Sequence, residues 1–333
     1  MSYASFLPLL KKAGSILTPE KFHERINIVF HDFEADYYDE MHHDMKESLQ
    51  QQIDLLVSDL LASHPPSTKN LSLLDVGCGT GLSTQILLNS ELGDYINTIS
   101  LLDSSPKMLL KADQKAATWN KKYTLLNGYI SDVKQTFDVV VICSVLHHIP
   151  DLDTFLKQIE AILNPGGILI HLQDPNGDYL SDKMYLERSS QYKSEQNAVK
   201  KKRKFSDLVP KNLKNAINRI LGRKTYIDKI NDQLIKEGTI KNRMSADEMW
   251  SVTDIHVETK TDTNKGISLQ FLKDRLSNFE LIQFRSYGFY GVLKSDLPSH
   301  FKDKEEEFIL QKQNNGRNIS CIWIKNNFEN HFG

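Results

Sequence analysis

The chain is poor in cysteine: Cys78, Cys143 and Cys321 are the only three in 333 residues. So few thiols, odd in number, exclude a disulfide-framed secreted module. They point to reduced, buried side chains and a cytoplasmic protein. No Cys/His cluster has the spacing of a zinc site, so no metal ligands are expected. Long apolar runs are also missing. None approaches the ~20 residues needed to span a bilayer. The N-terminal "MSYASFLPLLKKAGSIL" has neither a leading basic segment nor a small-residue cleavage site, which argues against a signal peptide. Charge of one sign is lacking too. With 41 basic and 43 acidic residues the formal net charge is −2, so no global field draws the chain to nucleic acid or to an anionic membrane.

What is present is an ordinary globular composition, 40% hydrophobic and 25% charged, long enough for one large domain with an insertion or for two domains. Residues 20–62 read as helical, with "PPS" as the stop. Strands and helices then alternate. "LSLLDV", "INTISLLD", "KYTLLN", "FDVVVICSVL" and "ILIHLQD" read as strands. "LSTQILLNS", "SPKMLLKADQKAA" and "DLDTFLKQIEAIL" read as helices, with Ser105 as N-cap and Pro106 at the first position of the second. Such alternation implies a parallel sheet covered on both faces. It breaks over residues 176–265, which are polar, lysine-rich and helical in character. It resumes with a helix in "GISLQFLKDRLSN" and strands in "FELIQFRSYGF" and "ISCIWIKN". Three units are expected: an N-terminal helical cap (1–66), an α/β core (67–175 and 266–333) and a helical lid inserted into that core (176–265). The basic run Lys200–Lys204 reads as a solvated face, because acids nearby offset it.

The chemistry is concentrated at the strand ends. In "LLDVGCGTG" the first strand runs into Gly77, Gly79 and Gly81 at every second position. Glycines there let the backbone approach a ligand, and the following helix offers free N–H groups. A tight turn without a ligand would look similar. The spacing is G-x-G-x-G, not the G-x-G-x-x-G of dinucleotide-binding loops, whose third glycine position here holds Leu82. Asp103 ends the second strand, where a carboxylate can accept from both hydroxyls of a ribose.

"LLDVGCGTG", "LLDSSPKML", "FDVVVICSVLHHIPD" and "LNPGGILI" resemble, in order and spacing from about residue 71 to 174, the successive motifs of class I S-adenosylmethionine-dependent methyltransferases. Residues 267–333 resemble the family's last helix and strands more loosely. The resemblance implies a Rossmann-like, doubly wound seven-stranded sheet with an antiparallel last strand, and S-adenosyl-L-methionine as cofactor. It implies that Asp75 and the backbone of Gly77, Cys78, Gly79 and Gly81 hold the methionine end. Asp103, with Ser104, would hold the ribose, and Met108 would flank the adenine. Ile130 and Ser144 complete the cofactor set. Ala35, Tyr38 and Asp39 in "FEADYYDEMHHD" fit the family's A-x-x-Y-acid helix, which places Tyr38 over the methionine end. One position departs: Tyr129 in "NGYISD" stands where many members have an acid for the adenine amino group. Either Tyr129 packs on the adenine while Asp132 or a backbone carbonyl accepts from that group, or the adenine is held less specifically.

Methyl transfer from a sulfonium requires a positioned acceptor and a dry pocket. A hydroxyl or ammonium acceptor also benefits from a base. The candidates are His147 and His148, after the fourth strand, and His256, just before the returning helix; Asp174 could face the same pocket. The adjacent His42 and His43 cannot share one helix face and are not read as a metal site. DNA amino-methylating enzymes carry Asp/Asn-Pro-Pro-aromatic where this chain has "CSVLHH", and no Pro-Cys nucleophile is present. The "LHH" version most resembles small-molecule enzymes of the family, and that resemblance implies a small, partly apolar acceptor methylated on oxygen or nitrogen, of quinone, lipid or secondary-metabolite type. Nucleic acid and membrane are not expected, and a homodimer stays open. The rivals are an S-adenosylmethionine-binding member without catalysis and an NAD-dependent oxidoreductase.

Overall fold

A computed structural model describes residues 3–41, 45–201, 225–257 and 265–327. His42, His43, residues 202–204 of the basic run and the stretch "LVPKNLKNAINRIL" lie outside them. The core is one seven-stranded sheet in the order β3-β2-β1-β4-β5-β7-β6. Its strands are β1 (Leu71–Val76), β2 (Ile96–Asp103), β3 (Lys122–Asn127), β4 (Phe137–Cys143), β5 (Leu163–Pro175), β6 (Phe279–Tyr287) and β7 (Asn318–Lys325). β1 to β5 are parallel, and β7 runs antiparallel between β5 and β6. The expected topology, with its antiparallel last strand, is the one observed.

Successive residues of the central strands face opposite sides, and both sides are covered. Leu73, Val139, Val141 and Ile170 pack under α4 (Met45–Ser63), α5 (Leu82–Leu88) and α6 (Pro106–Ala116) through Leu49, Ile53, Leu56, Leu87 and Leu109. Leu74, Val140, Ile142 and Leu169 pack under α7 (Leu152–Ile162) and α11 (Leu269–Arg275) through Leu156, Ile159 and Leu272. Burial on both faces is why these strands read as continuous apolar runs. The long Ser299–Leu310 helix, α12, lies between β6 and β7 in sequence. It packs on a separate aromatic cluster of Tyr287, Phe289, Tyr290 and Phe301.

Two boundaries differ from expectation. β4 ends at Cys143 rather than at Leu146, because Ser144 adopts φ 60° and turns the chain into a short 3-10 turn, Leu146–His148. The N-terminal unit is divided between two cores. α4 belongs to the sheet layer, whereas α1 (Leu7–Ala13) and α2 (Pro19–Glu34) pack with the insertion helices α9 (Tyr226–Lys236) and α10 (Ala246–Thr253). Phe22, Ile26 and Phe30 interleave there with Ile230, Leu234, Met249 and Val252. α3 (Tyr38–Met41) links the two cores, and α8 (Lys183–Lys201) leads out of β5 into the insertion. No described helix is long and apolar enough to cross a membrane.

Candidate active site

The glycine loop sits at the carboxyl end of β1. Gly77 and Cys78 donate their N–H groups to the Leu102 carbonyl at 2.8 and 3.0 Å, which pins the loop to β2. Gly77, at φ +66°, has no room for a side chain: a Cβ would meet Val145 Cγ2 at 2.5 Å. Gly79, at φ +53°, is the opposite case, with nothing within 4 Å of its Cβ position. That open face is where a ligand can lie against the backbone. The Gly79 N–H donates to Asp103 Oδ2 and the Ser105 N–H to Asp103 Oδ1, both at 2.8 Å. Burial pushes the Asp103 carboxyl up from its ordinary value, while these two amides oppose the shift.

Asp75 is placed otherwise than the resemblance implies. It is fully buried and faces α5: its Oδ2 accepts from Ser83 Oγ and Thr84 Oγ1 at 2.6 Å and from the Thr84 N–H at 3.2 Å. Burial raises it to about 6. It orients the loop without lining the cavity. Gly81 and Cys78 also stand off the cavity. Gly81 is the left-handed N-cap of α5 and packs on Trp119, and Cys78 is buried in the sheet core.

A cavity of about 620 Å³ opens above the loop, a size suited to a small-molecule site. Gly77, Gly79, Asp103, Ser104, Met108, Tyr129, Ile130, Ser144 and Tyr38 line it. Asp132 is also at its wall, but its Oδ2 accepts from the Tyr129 N–H at 2.9 Å. The Tyr129 hydroxyl is buried and hydrogen-bonds to no described residue. The segment carrying Tyr38 is fastened over the loop: Asp39 accepts from Thr80 Oγ1 and pairs with Lys115 at 2.9 Å, and Asp36 pairs with Lys111 at 3.0 Å.

Of the three expected catalytic histidines, only His148 lines the cavity. Its Nδ1–H donates to the Thr253 carbonyl at 2.7 Å, which leaves Nε2 as the acceptor nitrogen. Burial holds this imidazole well below its ordinary value. His147 lies behind it, with Nδ1 2.9 Å from Asp174 Oδ1. Asp174 is fully buried and does not reach the cavity. His256 is a strap rather than a wall: its Nε2 meets the Ile149 carbonyl at 3.0 Å and its N–H donates to the His147 carbonyl at 3.1 Å.

Sequence reasoning missed the opposite wall. His23, Asn27 and His31 of α2 all face the cavity. His23 Nε2 lies 3.1 Å from the His148 carbonyl, and burial lowers it to about 4. His31 stands edge-on to His148 with ring centroids 5.3 Å apart, and its Nδ1 is 3.0 Å from Glu34 Oε2. Burial pulls His31 down, but the hydrogen bond to Glu34 and the charges of Glu34 and Asp103 outweigh it, so His31 lies above its ordinary value. The signal was in the sequence: positions 23, 27 and 31 form one polar stripe at four-residue spacing on an otherwise apolar helix face.

Residues 74–169 match the family described as "Methyltransferase domain". The ubiquinone biosynthesis O-methyltransferase of Bos taurus is 31% identical over 115 residues, which are 33% of this chain and 30% of that protein. The demethylmenaquinone methyltransferase of Lactobacillus johnsonii is 39% identical over 99 residues, 28% of this chain and 40% of that one. The plantazolicin methyltransferase BpumL in complex with SAH aligns over 92% of this chain and 98% of its own, with 12% identity and a TM-score of 0.45. The match spans less than half the length of each of these two curated relatives. Sheet order and glycine loop define a doubly wound α/β domain with a ligand cavity at the carboxyl ends of its strands. Residues 74–169 therefore resemble a methyltransferase domain, carried on strands β1 to β5 of the sheet. The site fits S-adenosylmethionine: Gly79 leaves an open cradle, Asp103 stands at the end of β2, and the unpartnered Tyr129 hydroxyl offers a further polar contact.

Proposed function

We propose that the protein transfers a methyl group from S-adenosylmethionine to an oxygen or nitrogen of a small, partly apolar molecule of quinone, polyketide or other natural-product type. One observation carries this reading. A single cavity runs from the Gly79–Asp103 cradle to His148 and His31, beneath a roof built from α2. The quinone-directed names of two relatives support the acceptor class.

When bound, the cofactor supplies an electrophilic methyl on a sulfonium, so the chain has to hold, orient and desolvate. Gly77, Gly79 and Asp103 hold the donor, with Met108, Tyr129 and Ile130 around the adenine. Val145, Ile149 and Phe155 give the acceptor an apolar wall, and Asn27 and His31 give it a polar one. Gly77, Gly79 and Asp103 would keep the cofactor in place as its methyl passes to the acceptor, the electron pair of the broken carbon–sulfur bond staying on sulfur. The acceptor proton passes to His148 Nε2 while the Thr253 carbonyl keeps hold of Nδ1–H. His147 and His256 position this loop through Asp174 and Ile149.

The test has two arms. Calorimetric titration with S-adenosylmethionine, its demethylated product and NAD is expected to show binding of the first two only. Methyl-labelled cofactor added to metabolite fractions is expected to label a small-molecule product. Cofactor binding with no labelled product in any fraction would leave a binding protein instead of an enzyme.

A further inference from the structure

We infer that His147, His148 and Asp254 form a binding site for one first-row divalent transition metal ion of the Zn²⁺ class, at the seam between the insertion and the core. Their donor atoms lie within 4.8 Å of one another. Asp254 Oδ1 is 3.7 Å from His147 Nε2 and 3.5 Å from His148 Nδ1. These separations are too long for good hydrogen bonds. They are close to the edges of a coordination tetrahedron, roughly 3.3–3.5 Å when metal–ligand bonds are ~2.0–2.1 Å.

The surroundings are those a ligated imidazole needs. The other nitrogen of His147, Nδ1, is 2.9 Å from Asp174 Oδ1, and the same oxygen accepts the His147 N–H at 3.2 Å. A buried carboxylate behind a ligating histidine fixes the ring and raises its basicity. One carboxylate and two imidazoles suit a borderline dication better than Mg²⁺ or Ca²⁺, which prefer all-oxygen shells. The Thr253 carbonyl, 2.7 Å from His148 Nδ1, is the hydrogen-bond partner this nitrogen would give up for the ion, leaving the fourth position to water. The ligands are partly open, with side chains 9%, 19% and 19% exposed, so an ion can enter.

Occupancy would have two effects. It would bolt the end of α10 to the β4 loop, closing the lid on the core. It would also take the lone pair of His148 Nδ1 and leave the proton on Nε2, turning that atom from acceptor to donor towards the cavity. The second effect rests on the role proposed for His148 above, and it makes the ion an inhibitor of base-assisted transfer.

The experiment uses the full chain, stripped with a chelator and titrated with Zn²⁺ alone, and in parallel with Co²⁺ followed by visible absorption. One ion per chain is expected, with a Co²⁺ spectrum of low-symmetry N/O coordination. Asp254→Ala should weaken binding at least tenfold, and Asp174→Asn should weaken it about 10- to 100-fold through His147. S-adenosylmethionine titration of the same samples reports folding, because neither residue lines the cofactor cradle. Wild-type affinity and stoichiometry in a folded Asp254→Ala protein would overturn the site. Failure of cofactor binding in the wild-type chain would instead overturn the methyltransferase reading and leave the metal result standing.

Discussion

Three residues of the glycine loop and its neighbour strand divide the work in ways their motif does not announce. Asp103 reaches the cavity, and both its oxygens are already oriented by backbone amides. Asp103→Ala is expected to weaken S-adenosylmethionine binding by ~1–3 kcal/mol in calorimetric titration, the loss of a charge-assisted acceptor. Asp75 satisfies Ser83 and Thr84 from inside the fold. Asp75→Ala should cost about 1–3 kcal/mol of stability by denaturant unfolding, because buried donors lose their acceptor; at saturating cofactor its effect on binding should be the smaller one. Gly79→Ala has space for its methyl but adopts φ +53°. It should lower stability by ~1 kcal/mol and weaken cofactor binding more, since the methyl occupies the cradle. Equal cofactor affinity in wild type and Gly79→Ala would remove that face from the site. Asp103 was legible because a strand-end acid has a chemical reason to be there. The inward turn of Asp75 was not, because the partners that capture it lie on the next helix.

At the scale of elements, strands were more legible than their ends. β1 and β4 are apolar on both faces and therefore unmistakable in sequence, whereas the stop at Cys143 depends on the left-handed turn at Ser144, for which serine gives no local signal. α2 was readable as a helix, but its part in the site was not. Its polar stripe matters only once the sheet edge is opposite it. α12 carries a further testable feature. Glu305 is buried and accepts from the Gly288 and Phe289 N–H groups at 2.7 and 3.0 Å. Burial raises it from 4.5 to about 7. The native state therefore holds this proton more tightly than the unfolded chain. Its contribution is fully present below about 4.5 and is lost as pH rises through about 7. Glu305→Gln keeps an acceptor oxygen and removes the titration. Its stability relative to wild type should rise by roughly 3 kcal/mol between those limits, read from urea unfolding at a series of pH values. A difference that stays flat with pH would contradict the assignment.

At the scale of the whole molecule, the cavity is walled by two bodies, the sheet and a helical cap. Phe22 is fully buried at the centre of the cap core. Phe22→Ala should cost about 3–5 kcal/mol. Hydrogen exchange should show the loss in α1, α2, α9 and α10 before it appears in β1 or β4; uniform loss across the sheet would mean that the two bodies unfold as one. The cap draws its apolar faces from opposite ends of the chain, and this has a consequence in time as well as in space. During synthesis α1 and α2 emerge early, yet Ile230, Leu234 and Ile240 follow two hundred or more residues later. At ~5–20 residues per second that is roughly 10–40 s. Through that interval Phe22, Ile26 and Phe30 have partners in Phe6, Leu10 and Ala13 of the cap core but not yet in α9 and α10, while the strands β1 to β5 are being made. The five parallel strands are therefore in place before the cap core closes, and until then the half-covered apolar face of α2 is one a chaperone can bind.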